Sequence, residues 1–246
     1  MRYLILVIIM SISFSKNFSE KFNIASSYYN NSEYSKSIQL YEEIIREGFH
    51  SEYLYYNLGN AYYRNGMIGQ SIWAYNRAIF LNPRLENVKY NLEIVSSKIK
   101  DRVVLPEEFL LVQVYIKLKS FIAYHEWLMV GSLLMLLIVC FFVFFKLFIF
   151  NYSVIKKIKF IFILITFLVH LIIIDVFLEN NEKQFGIIVF DNVNAYSGPF
   201  YGDNTILFKV NEGTKAQISQ EQENWFEIVI LNGDKAWIPK EKIRIL

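Results

Sequence analysis

Two long apolar runs constrain this 246-residue chain more than any other feature. Residues 127–145 carry no charge, and residues 160–178 are interrupted only by His170 and Asp175. At 1.5 Å per residue, a run of about nineteen residues reaches roughly 30 Å, the depth of a bilayer's hydrocarbon core. The spacing predicts a two-helix transmembrane hairpin over 126–180, with spans at 127–145 and 160–178. The other reading, two buried core helices of a soluble protein, gives no reason for such long uncharged stretches. Lys146, Lys156, Lys157 and Lys159 lie between the runs with no acid among them, so the positive-inside rule puts this loop in the cytoplasm. Both flanking pieces are then expected in the periplasm, and the protein in the inner membrane as a multi-pass chain. At the N-terminus, Arg2, the apolar stretch Tyr3 to Met10 and the small-residue pattern Ser13-Phe14-Ser15 read as a signal peptide over 1–15, either cleaved or kept as an anchor.

Ahead of the hairpin, residues 18–103 place apolar and aromatic side chains at helical spacing. Breaks fall at Asn30-Asn31-Ser32, Gly48, Asn65-Gly66 and Asn82-Pro83. Tyr55, Leu58, Gly59, Tyr62, Ser71, Tyr75, Ala78 and Pro83, slid back by 34 residues, fall on Lys21, Ile24, Ala25, Tyr28, Ser37, Tyr41, Ile44 and Phe49. That period implies helix hairpins stacked as an all-α solenoid. Between solenoid and membrane, segment 107–125 sets Leu111, Val114, Tyr115, Leu118 and Ile122 on one helical face. It suits a linker helix lying in the membrane interface or a last helix capping the solenoid.

Beyond residue 184 the pattern changes to six short apolar runs, at 186–191, 206–210, 216–219, 225–231, 236–238 and 243–246. They are separated by turn signals at Ser197-Gly198-Pro199, Glu212-Gly213 and Asn232-Gly233, the last suiting a two-residue hairpin. About sixty residues of this kind predict a small all-β barrel.

Function classes narrow in the same way. The soluble pieces carry near-balanced charge, so nucleic acid is not an expected partner. Cys140 is the single cysteine, which excludes disulfide frameworks and thiolate zinc sites. The chain has no glycine-rich phosphate loop, nucleophile elbow or His-Glu-x-x-His. His50, His125 and His170 stand in three different contexts. Neither an enzyme activity nor a cofactor or metal is expected. The paired carboxylates Glu42-Glu43 and Glu107-Glu108 read as a solvated helix face and a helix N-terminus. His170 is expected to be neutral and to face protein or water, while Asp175 lies near the outer end of its span and can snorkel.

Tyr55, Leu58, Gly59, Tyr62, Ser71, Tyr75, Ala78 and Pro83 resemble the tetratricopeptide repeat, and residues 87–100 resemble the solvating helix that ends such arrays. The resemblance implies a concave face carrying Phe22, Ser26, Tyr29, Tyr53, Tyr56, Asn60 and Tyr63, a groove for a peptide or partner helix unless other helices cover it. Lysines that grip a terminal carboxylate in some such repeats are replaced here by Phe22 and Asn91. Asn194-Ala195-Tyr196-Ser197-Gly198-Pro199, Trp225, Asn232-Gly233 and Ala236-Trp237-Ile238-Pro239 resemble bacterial SH3 domains, and the aromatics Tyr196, Phe200, Tyr201 and Trp237 fall within this stretch. These form either a binding platform or the completion of a small core. The order of signal, repeats, two spans and SH3 domain resembles the BatE-type family of the Bacteroides aerotolerance operon. That likeness implies a membrane scaffold acting with Bat-type membrane proteins that carry von Willebrand factor A domains, and indirectly with a MoxR-type ATPase. Bacterial SH3 domains of wall enzymes imply the alternative, a peptidoglycan-binding anchor.

Overall fold

The computed structural model describes residues 18–101, 109–147, 152–182 and 184–246. The expected signal peptide and the Glu107-Glu108 pair lie outside the described residues. The chain forms two compact units: the N-terminal helices together with Gln184–Leu246, and Pro106–Lys183.

The first unit begins with α1 (residues 18–30), α2 (Tyr34–Arg46), α3 (Glu52–Arg64), α4 (Ile68–Leu81) and α5 (Glu86–Ser96). Ser32, Gly48 and Gly66 take positive φ at three of the four breaks seen in the sequence, and Asn82 is extended ahead of Pro83. Ser51 caps α3 by accepting from the Leu54 amide at 3.2 Å. Consecutive helices pack on one another, and Ala25, Tyr41, Leu58, Tyr62, Tyr75 and Ala78 fill the space between them. Close approach of α3 and α4 depends on Gly59, where an added Cβ would fall 2.6 Å from the Tyr75 ring. The Ser71 hydroxyl donates to the Gly59 carbonyl at 2.8 Å across the same contact.

The C-terminal part of this unit is an antiparallel seven-stranded sheet: β1 (Gln184–Ile188), β2 (Val193–Tyr196), β3 (Ile206–Val210), β4 (Lys215–Gln222), β5 (Trp225–Ile230), β6 (Lys235–Pro239) and β7 (Ile243–Ile245). Its order is β3-β2-β6-β5-β4-β1-β7. Alternate residues from most of the strands, among them Ile188, Val210, Phe226, Ile228 and Ile238, make its core. Two details differ from expectation. β2 is an additional strand, hidden because its four residues include Asn194 and run straight into Ser-Gly-Pro. The β5–β6 hairpin has a three-residue loop, with Gly233 N–H donating to Ile230 O at 2.9 Å and Ile230 N–H donating to Asp234 O at 3.1 Å. Only Gly233 of the Asn-Gly pair takes positive φ, so the connection is a turn closed by a left-handed glycine.

Helices and sheet share an interface within this unit. Ile187 and Leu246 join the helical core. The Trp73 indole N–H donates to Ile245 O at 2.7 Å, and the Gly69 N–H donates to Glu212 Oε2 at 2.8 Å. Asp101 accepts from the Asn211 backbone N–H and side-chain amide at 2.8 and 2.9 Å. At the centre, the Arg244 guanidinium lies 3.5 Å from the Trp73 ring centroid, donates to Glu42 Oε1 at 2.6 Å and donates to the Tyr62 hydroxyl at 2.9 Å. Tyr62 in turn donates to Glu42. Burial pushes the Tyr62 hydroxyl pKa upward. Burial also works against the Arg244 charge, but Glu42 and Tyr62 outweigh it and hold that pKa above its ordinary value. The Glu42-Glu43 pair therefore divides. Glu43 stays on the surface with Lys21, whereas Glu42 is drawn into the interface by a residue 202 positions away.

The second unit holds α6 (Leu110–Lys119), α7 (Tyr124–Leu147) and α8 (Tyr152–Glu182). Among the described residues two helices are long and apolar enough to cross a membrane, Tyr124–Leu147 and Lys157–Glu179, and only 6% and 17% of their apolar windows is buried within the protein. Such exposure fits candidate membrane helices better than core helices. They run antiparallel: Gly131 meets Ile173 and His170, while Phe141 stacks on Phe162 with centroids 5.7 Å apart. The His170 Nδ1–H donates to Thr166 O at 2.7 Å. Asp175 is engaged by Lys119 Nζ at 2.7 Å and by the Tyr115 hydroxyl at 2.6 Å, and Lys119 also meets Glu179 at 2.5 Å. α6 thus belongs to the hairpin's unit and not to the helical stack, and it buries none of its residues.

Replacing Gly59 by Val should force α3 and α4 apart and cost about 2 kcal/mol or more, read as a lower urea midpoint of the full chain in detergent. Arg244→Ala should cost about 2 kcal/mol by leaving Glu42 without its counter-charge at the interface. Arg244→Lys should recover little of that loss, because an ammonium can neither lie flat on Trp73 nor fork to two acceptors.

Candidate interaction sites

Two surfaces of the first unit combine aromatic and amide groups. The first is a groove on the helical stack. One part of about 160 Å³ is lined by Ser26, Tyr29, Asn30, Tyr41, Asn57 and Asn60. A second part of about 370 Å³ shares Tyr29 and Asn60 and adds Tyr56, Tyr63, Arg64, Tyr75, Asn91 and neighbouring aliphatic groups. Shared walls make the two parts one continuous groove. Helical spacing on α3 brings Tyr56, Asn60 and Tyr63 to the same face, and α1 brings Ser26 and Tyr29 alongside.

Side chains in the groove are held by one another. Asn60 Oδ1 accepts from the Tyr75 hydroxyl at 2.7 Å and from Asn91 Nδ2 at 3.0 Å. Two hydrogen bonds to the one oxygen fix the amide, and the Asn60 NH₂ has no partner among the described residues. The Ser26 hydroxyl shares a 2.9 Å hydrogen bond with Tyr41, whose pKa burial raises. Lys98 Nζ donates to the Tyr63 hydroxyl at 2.8 Å, placing a cation at the groove's end. Fixed amides beside tyrosine faces suit a peptide, because they offer donors to backbone carbonyls and flat apolar surface to side chains.

Of the residues expected on this face, Ser26, Tyr29, Tyr56, Asn60 and Tyr63 line the groove. Phe22 instead joins the helical core, with its ring 5.6 Å from that of Tyr41, and Tyr53 is 60% exposed away from the groove. Asn30, Asn57, Arg64 and Tyr75 were not anticipated there. A signal for part of this set exists: Asn23, Asn57 and Asn91 recur every 34 residues, the same period as the hydrophobic pattern.

The second surface is on the barrel. Tyr196, Tyr201 and Trp225 form a mutually tilted cluster, with centroids 5.7 Å apart for Tyr196–Tyr201, 5.5 Å for Tyr196–Trp225 and 4.7 Å for Tyr201–Trp225. Tyr196 and Trp225 are buried and serve as its base, while Tyr201 is 70% exposed. The β2–β6 pairing sets Trp237 opposite Tyr196, half-buried, and Phe200 stands exposed over Gly198. Trp225, first read only as part of the SH3-like pattern, is therefore the residue against which Tyr201 leans. Pairing of its strand with β6, which sequence spacing does not reveal, brings it there.

Comparison with known proteins agrees with the barrel. No curated protein matches the chain. Residues 189–244 match the bacterial SH3 domain, a stretch that holds β2 to β6, most of β7 and the aromatic cluster, while β1 lies ahead of it.

Proposed function

We propose that this chain is a non-catalytic, membrane-anchored scaffold whose helices form a tetratricopeptide solenoid and whose barrel is a second interaction module. Both face the periplasm, held by the two-helix hairpin in the inner membrane. The observation that carries this reading is the presence, in one compact unit, of a tyrosine and asparagine groove and a bacterial SH3 domain. The 34-residue period, the packed helix pairs and the Gly59–Tyr75 contact support the repeat assignment. Likeness in module order to BatE-type proteins supports partners with von Willebrand factor A domains, and contact with a cytoplasmic MoxR-type ATPase only through those partners. A second reading, peptidoglycan binding through the barrel, draws on the exposed Tyr201 ring beside Trp225, a geometry suited to stacking on a sugar or a stem peptide.

Affinity purification of the full chain from its native membranes should recover von Willebrand factor A proteins by mass spectrometry, and their absence would reopen the assignment of partners. Tyr56→Ala and Asn60→Ala should each lower that recovery about ten-fold, as loss of a central anchor does, with circular dichroism unchanged. Equal recovery by both variants would remove the groove. Pelleting of the full chain with purified cell wall, abolished by Tyr201→Ala, would favour the peptidoglycan reading. An alkaline phosphatase fused behind Leu246 should be active, whereas a working cytosol-only reporter at that position would reverse the orientation.

A further inference from the structure

The two edges of the sheet are treated differently. β7 is covered, since Trp73 from α4 donates to its Ile245 carbonyl. β3 closes the other end of the strand order and, among the described residues, pairs with β2 alone. An uncovered edge presents a row of backbone N–H and C=O groups that can accept a further strand.

A cleft of about 600 Å³ runs beside this edge, between the barrel and the helices of the same unit. Phe208, Lys209 and Val210 all line it. Phe208 and Val210 turn toward the barrel core while Lys209 is exposed on the opposite face, so the cleft meets both faces of β3 at its C-terminal part. Ile72 and Ile187 pack together at its floor, and Leu92 of α5, Ile99 after it and the barrel's Ile230 line its apolar walls. The five residues of β3 extend about 17 Å, enough to pair with about five residues of an added strand.

Charge at the rim selects further. Asp101 and Asp234 already accept hydrogen bonds from Asn211 and Asn232, and Lys100 is paired with Asp191. Lys209 is exposed and makes no ion pair among the described residues. The geometry points to capture of an extended segment of a partner protein by strand addition to β3. Alternate apolar side chains of that segment enter between barrel and helices, and an acidic side chain meets Lys209. This cleft is separate from the tyrosine and asparagine groove and from the Tyr201 cluster, and the inference depends on neither.

A fluorescein-labelled Gly-Val-Thr-Val-Asp-Val-Thr-Val-Gly peptide, titrated against the full chain in lipid nanodiscs, should show saturable anisotropy. N-methylation of alternate peptide amides should reduce affinity at least ten-fold, because it removes the donors that pair with an edge strand. Lys209→Glu should weaken binding by about five-fold, and exchanging the peptide's Asp for Lys should restore it. Tyr56→Ala should change nothing, which separates this site from the concave groove. Absence of saturable binding, or binding indifferent to both N-methylation and Lys209→Glu, would overturn the proposal. The latter outcome would assign the cleft to adventitious apolar contact.

Discussion

Contact between the Arg244 guanidinium and the Trp73 indole, with Glu42 and Tyr62 closing round it, makes one body of two modules that are separated in the chain by the whole of the apolar helix pair. A planar cation suits this place. It covers an aromatic face, forks to two oxygen acceptors and is less strongly hydrated than an ammonium, so half-burying it costs less. Around it, Ile187 and Leu246 enter the helical core and β7 gains a neighbour on its outer side. The groove on the helices and the aromatic cluster on the barrel consequently keep a fixed separation and orientation. Two weak contacts to one partner would then act with a high effective concentration, without the loss expected for modules on a loose linker.

Much of this was legible in the sequence because the signals were local. Glycine and asparagine breaks at 30–32, 48 and 65–66 coincide with helix ends, the 34-residue period is the offset of α3 from α1 and of α4 from α2, and the apolar runs coincide with α7 and α8. What remained hidden is set by tertiary pairing. Glu42 looks like any solvated helix carboxylate until Arg244 arrives from the last strand. β2 carries too little apolar pattern to stand out and exists because β3 and β6 pair with it. Trp225 reads as core or site with equal ease, and only the approach of Tyr201 decides that it is the base of the aromatic cluster. Phe22 shows the opposite case. Helical spacing places it with Ser26 and Tyr29, but the neighbouring Phe18 and Tyr41 draw its ring into the core.

In the hairpin's unit, a single lysine accounts for features that looked unrelated. Lys119 joins Asp175 and Glu179 at the polar end of α8, and its carbonyl accepts from the Trp127 indole at 3.1 Å. Partial burial disfavours its charge, yet the two carboxylates hold its pKa above the ordinary value. Asp175 therefore needs no long reach to water, and α6 is fixed near the end of the span with Leu110, Leu111, Val114 and Leu118 still uncovered. α6 therefore keeps an uncovered apolar face beside the end of an apolar helix.

The late position of β7 in the chain carries a consequence for biogenesis. Trp73 and the hydrophobic surface near it are translated well before their covering strand, and two greasy helices are made in between. The nascent helical stack must therefore wait with that surface bare until the C-terminal strands have been made. Over that interval it is a ready target for holdase chaperones and proteases, so slow completion of the chain would reduce the yield of the helical stack even though its own sequence is intact.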